Sequence, residues 1–382
     1  MDKEYCPKLR EDLFINDLYT TKSKDGYYVI GCYSEDSHML VRENRISFYK
    51  KFFSQLDGSK SIECLSNMGF GSIENIAKMI GMLMDKGFIE GYHNKSNFNE
   101  VQNVSINIFA KNIPCKKQFT VTLCKKLVKL YKYVLIIAVL FLLVLLFKGK
   151  GVQNFQNIVS WLVSHNKKTG ANMTGVIWYI YVFLLTPVFF VFHEAAHRIT
   201  GIANGLKEGL ISFVLFLGFM PTLYVRQKCI YSLERKKIVP VVLSGVLANL
   251  LLGIIMLDFS FLLDSHLLFY FALANMRMIY VNMLPLSLTD GYYLFCILSK
   301  NPNIRLDMYR VLANPKVFKN LSKKQKVFML VALFAMVVIV SVELFWLLSF
   351  LVIGIRIPVL CILVAAYFWF MHIFSKTKIV KM

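Results

Sequence analysis

Apolar residues gather in six runs along the chain, at about 131–147, 175–200, 239–263, 267–298, 327–350 and 357–374. Several are long enough to cross a hydrocarbon core of roughly 30 Å, which takes about 20 helical residues. The first 130 residues follow another pattern. YYVIGCYSE and HMLVREN alternate as strands do, SFYKKFFSQL turns helical, and Asp57-Gly58 marks a break before SIECLSNM. A small unit of two strands and three helices fits residues 27–92. In its last helix Ile76, Ile80 and Leu83 fall at i, i+4 and i+7, Ser72 can cap the start and Gly87 can end it. Phe88 and Ile89 follow as a short extended piece.

Composition sharpens this picture. Of the 382 residues 56% are hydrophobic, and the mean hydropathy of +0.53 lies far outside the range of an ordinary soluble domain. The fold class expected is an α-helical polytopic membrane protein of about six transmembrane helices with a small N-terminal α+β winged-helix domain. The opening MDKEYCPKLREDLF has no apolar core of the kind a secretory signal needs, so the N-terminal domain is expected in the cytoplasm. The organisation read from these shifts is a domain at 1–97, a basic connector at 98–130 against the inner leaflet, and a transmembrane domain at 131–382 with its core at 175–298.

The net charge of +21 follows membrane orientation better than nucleic-acid binding. Lys207, Arg226, Lys228, Arg235, Lys236 and Lys237 lie between the second and third runs, and eight more cations from Lys300 to Lys326 lie between the fourth and fifth. The proposed outer loops hold only Lys148, Lys150, Lys167, Lys168 and Arg356. The expected location is a multi-pass cell-membrane protein, with the lipid bilayer as partner, no nucleic acid, and both termini cytoplasmic. The eight cysteines form no C-x-x-C pair and read as reduced thiols.

Chemistry enters near the end of the second run, in VFFVFHEAAHRITG. His193 and His197 are four apart, so on a helix both imidazoles reach one metal. Glu194 lies about 100° around from His193, where it can hold a water without being a ligand. A catalytic zinc normally has three protein ligands and an open position. The long motif that would continue to a third histidine fails, because position 200 is Thr and position 203 is Ala. The fourth run supplies a carboxylate in NMLPLSLTDG, where Asn282, Pro285, Asp290 and Gly291 interrupt an apolar stretch. Pro285 removes a helix hydrogen bond and Gly291 permits unusual backbone angles, so the chain can unwind and present Asp290 to a cavity.

His193-Glu194-Ala-Ala-His197 together with Asn282-Met-Leu-Pro285-Leu-Ser-Leu-Thr-Asp290-Gly291 resembles the site-2 protease family of intramembrane zinc metalloproteases. The resemblance implies zinc held by His193, His197 and Asp290, with Glu194 as the catalytic general base. Gly218-Phe-Met-Pro221-Thr-Leu-Tyr224 and Ser244-Gly245-Val-Leu-Ala-Asn249 also resemble that family's hydrophobic insert and G-x-x-x-N helix, so the likeness covers about 175–298. The insert departs from the family in lacking an acidic residue after its tyrosine. Gly245, Asn249 and Asn282 are the substrate-binding candidates. For Gly245 and Asn249 the alternative is packing, since small residues let membrane helices approach and an Asn can bond across them.

The stretch from Tyr27 to Glu90 resembles the PqqD-like winged-helix domains that bind leader peptides of ribosomally made, modified peptides. Both halves together resemble YydH-type peptide zinc metalloproteases. What this implies is a precursor-peptide substrate captured in the cytoplasm and cleaved at zinc, with peptide-modifying or export proteins as further partners. The alternatives are regulated intramembrane proteolysis of a membrane-bound regulator, and a non-catalytic peptide immunity or export protein.

Overall fold

The structure is a computed structural model. It describes residues 2–21, 26–94, 105–112, 114–115, 118–148, 185–216, 220–283, 289–302, 304–314, 316–319, 323, 325–331, 333–334 and 337–338. The expected run at 357–374, the stretches 175–184 and 339–350 of two others, and Pro285 lie outside the described residues. The described residues are mostly helical, with two three-stranded sheets among them. It divides into two compact units, one of Met1–Tyr131, Phe190–Gly245 and Leu294–Pro302, the other of Lys132–Phe189, Val246–Tyr293 and Asn303–Met382.

The N-terminal part of the first unit holds β1 (Leu13–Tyr19), β2 (Tyr27–Cys32) and β3 (Ser37–Arg42), antiparallel in that order, then α1 (Ile46–Phe53), α2 (Ile62–Asn67) and α3 (Ile73–Asp85). The sheet has three strands, one more than the alternation predicts. The extra strand, β1, carries Asn16 and Asp17 in its middle and a bulge between Asn16 and Tyr19, which breaks the period of two. Ile76, Ile80 and Leu83 of α3 are buried as their spacing requires, in one core with Ile30, Phe52 and Leu65. Fully burying such side chains stabilises by about 1.5–3 kcal/mol each. Ser72 Oγ caps α3 by accepting from the Asn75 amide at 3.4 Å. Gly87, at φ +69°, ends it by turning the chain so that Phe88 bonds back to Leu83 and Ile89 bridges Leu9.

The second sheet also belongs to the first unit. β4 (Ser105–Asn112) pairs antiparallel with β5 (Gly209–Phe216), and β5 with β6 (Met220–Gln227). The stretch read as a connector, 98–130, therefore contains a strand, and its last part begins α4 (Gln118–Phe147). The stretch that resembles a hydrophobic insert falls, from Met220 on, in β6. Helix α5 (Thr186–Ala203) precedes this hairpin and α6 (Arg235–Leu262) follows it.

Two helices among the described residues are long and apolar enough to cross a membrane: α4, with 30 residues, and α6, with 28. In the second unit Leu145 of α4 packs with Phe261 of α6 and with Phe269 of α7 (His266–Asn282). The fourth apolar run is two helices, since α7 stops at Asn282 and α8 (Asp290–Ser299) starts at Asp290. A Cβ on Gly291 would run into the backbone of Met283, so the close return of the chain here requires glycine. Two shorter helices, α9 (Ile304–Ala313) and α10 (Lys316–Lys319), follow.

Candidate metal centre

The 3.6-residue repeat of α5 puts His193 and His197 one above the other on a face that is almost fully covered, at 3% and 8% exposure. Their Nε2 atoms lie 3.1 Å apart. Two nitrogens bound to one tetrahedral zinc at 2.0–2.1 Å would stand about 3.3 Å apart, so the rings are set for a shared ion. His197 Nδ1 is 2.7 Å from the Val241 carbonyl on α6. A carbonyl can only accept, so Nδ1 carries the proton and Nε2 presents a lone pair. This is how an outer partner fixes the tautomer of a ligating histidine. Ser244 Oγ donates to the same carbonyl at 2.7 Å.

Gly245 of α6 leaves room for the pair. A Cβ there would stand 2.5 Å from His193 Nε2 and closer still to His197 Nε2. The third donor is Asp290, the half-buried first residue of α8. One ligand atom from each of His193, His197 and Asp290 lies within 4.8 Å of the others, and this buried His-His-Asp group can bind a metal ion. Its two imidazoles and one carboxylate are donors that suit a divalent transition metal.

Glu194 is 7% exposed, and its Oε2 accepts the Val225 amide of β6 at 2.9 Å. The next residue but three, Arg198, binds the sheet to the helix, donating to Gln227 Oε1 at 3.3 Å and to the Lys207 carbonyl at 3.2 Å. The polar residues at this helix end thus have named partners, which offsets their cost in an apolar setting.

The remaining predicted residues are placed as follows. Asn249 is fully buried, and its backbone carbonyl accepts from the Asn275 side chain, Nδ2, at 2.6 Å, a bond between α6 and α7. Asn282 is the half-buried last residue of α7. Val225 and Val241 carry no signal in the sequence, because they act through a backbone amide that every residue but proline has and a backbone carbonyl that every residue has. Comparisons of the chain with family models, with curated proteins and with solved structures give no match.

Proposed function

We propose that this protein is a membrane-embedded zinc metallopeptidase of the site-2 protease type, hydrolysing a peptide bond in the processing of a ribosomally made, modified peptide. The observation that carries the reading is the juxtaposition of three donors, His193, His197 and Asp290, with a carboxylate, Glu194, next to the first of them and oriented by a backbone amide. A zinc ion bound there supplies Lewis acidity toward a scissile carbonyl and makes a water acidic enough to attack near neutral pH. Glu194 takes the proton of the attacking water and returns it to the leaving amine. The Val225 amide holds the Glu194 carboxylate in place during both transfers.

The N-terminal domain is read as the capture module. Its β3 is an outer strand of the sheet, and Leu40 on it is 39% exposed, which supports addition of an extended peptide at that edge. Tethering raises the peptide's effective concentration at the centre to about the millimolar range. The two long apolar helices and the one-sided loop charge support insertion as a multi-pass protein with both termini in the cytoplasm.

The test uses purified full-length protein. About one zinc per chain is expected by atomic absorption. His193→Ala, His197→Ala and Asp290→Ala each lower that content, whereas Glu194→Gln keeps the metal and abolishes cleavage of a precursor peptide. Undiminished cleavage by Glu194→Gln would refute the mechanism.

A further inference from the structure

The connection from β6 to α6 links the two elements that position the metal centre. Val225, near the end of β6, binds Glu194, and Val241, two turns into α6, orients His197. The N-terminal domain grips this connection and its approach from several sides. Asp36 Oδ2 pairs with Arg226 at 2.8 Å, and Asp36 Oδ1 accepts the Cys229 amide at 2.7 Å. Asn16 Nδ2 donates to the carbonyls of Tyr231 and Leu233 at 2.8 and 2.7 Å. The His38 ring lies on the Tyr231 ring, with centroids 4.5 Å apart. Asp36 and Cys229 face each other with φ of +47° and +57°. Such left-handed angles at non-glycine residues persist only where surroundings hold them.

We propose that the N-terminal domain is a working part of the metal centre, in which Asn16 and Asp36 are positioning residues that hold the β6–α6 connection and thereby set both Glu194 and His197. Arg226 is adjacent to Val225, so a shift at the Asp36 pair acts within one residue of the amide on Glu194. Leu233 lies two residues before α6, and a displacement there shifts the first turns of the helix, whose start at Arg235 is about 9 Å from Val241 at 1.5 Å per residue, with Pro240 just before Val241. A peptide that adds to β3 moves or steadies the β2–β3 turn bearing Asp36, so capture of substrate and readiness of the site become one event. The inference rests on the metal-site reading above and extends it to regulation of that site.

The experiment measures two quantities on full-length protein in lipid nanodiscs: zinc affinity, by competition with a chromophoric chelator, and amide exchange at Val225, by mass spectrometry. Asp36→Ala and Asn16→Leu are expected to weaken zinc binding about 10–100-fold, as loss of outer-shell support does. They also speed exchange at Val225 while α3 keeps its protection. Combining Asp36→Arg with Arg226→Asp restores both quantities toward their starting values. Lys8→Ala, which breaks an exposed ion pair with Glu90 elsewhere on the domain, changes neither. Native zinc affinity and native Val225 exchange in Asp36→Ala and Asn16→Leu overturn the proposal. If α3 protection is also lost, the reversed pair decides: recovered folding without recovered zinc affinity overturns it. Failure of the underlying reading is distinct, because the unaltered protein would then show no zinc binding sensitive to His193→Ala, and the proposal would fall with it.

Discussion

A single methyl group at residue 245 would occupy the space that two imidazoles use. Alanine normally stabilises a helix interior by about 0.5–1 kcal/mol relative to glycine, so helix propensity and the metal centre pull in opposite directions at this position. Overpacking a filled site costs about 1–3 kcal/mol, more than the helix gains, so Gly245→Ala is expected to lower the thermal midpoint and to lower zinc affinity at least about tenfold, read by chelator competition alongside a melting curve. Unchanged affinity would mean that the rings do not use that space. His193, His197 and Asp290 were legible in the sequence because each is a donor side chain in an apolar run, two of them at helical spacing. Gly245 was legible only as a packing or substrate residue, since what it contributes is an absence of atoms. Val225 and Val241 were not legible at all, because a backbone amide and a backbone carbonyl leave no mark on residue type.

The sequence hid two strands, one through distant pairing and one through an irregular pattern of its own. α3 was legible with its cap and its stop because helix signals are local. β4 escaped because its partner, β5, comes far later in the chain and its own stretch read as a basic connector. β1 escaped through its bulge and its central polar pair, of which Asn16 supports the β6–α6 connection. The contact of the β2–β3 turn and the start of β3 with this connection is expected to respond to pH through His38. Burial of the His38 ring, then the nearby Lys86 and Arg226 cations, push its pKa from 6.5 down to about 4. A histidine lowered in the docked state stays neutral there, while the released state takes up a proton below about pH 6.5. Docking is thus unaffected above that pH and weakens as pH falls from about 6.5 to about 4. Asp36 works the other way, since burial raises its pKa against the pull of Arg226, and its protonation favours the docked state as pH falls. His38 also keeps much of its surface exposed, which moderates its shift. Exchange at Val225 is expected to quicken on acidification across this window, beyond the intrinsic pH effect on exchange, and His38→Gln removes that dependence. A dependence that survives His38→Gln would assign it to another group.

At the scale of the whole molecule, two helices among the described residues are long and apolar enough to cross a membrane, and lipid would account for their exposed faces. α4 presents Ile136, Ile137, Leu140 and Phe147 outward, each more than half exposed, and lipid can cover such a face at no cost that water would impose. Its hydrocarbon-length run and that of α6 were legible from hydropathy, whereas the broken fourth run was legible only through the residues that interrupt it. Orientation is a proposal that rests on charge. Lys236 and Lys237 open α6, and Lys300 to Lys326 follow α8, so the proposed six-span arrangement would put these segments in the cytoplasm under the bias against exporting short basic loops. The N-terminal domain is bound through Asp36 and Asn16 to residues 226–233, so that segment and the domain must share one aqueous compartment, whichever side that is. Single cysteines placed at Lys236 and at Lys323, in a protein whose native cysteines are replaced, are therefore expected to react with a membrane-impermeant maleimide only after the cytoplasmic face is opened. A cysteine at Lys167 reacts in intact cells. Labelling at Lys236 from outside would invert the assignment and would carry the N-terminal domain, and any peptide it holds, to the opposite side of the membrane.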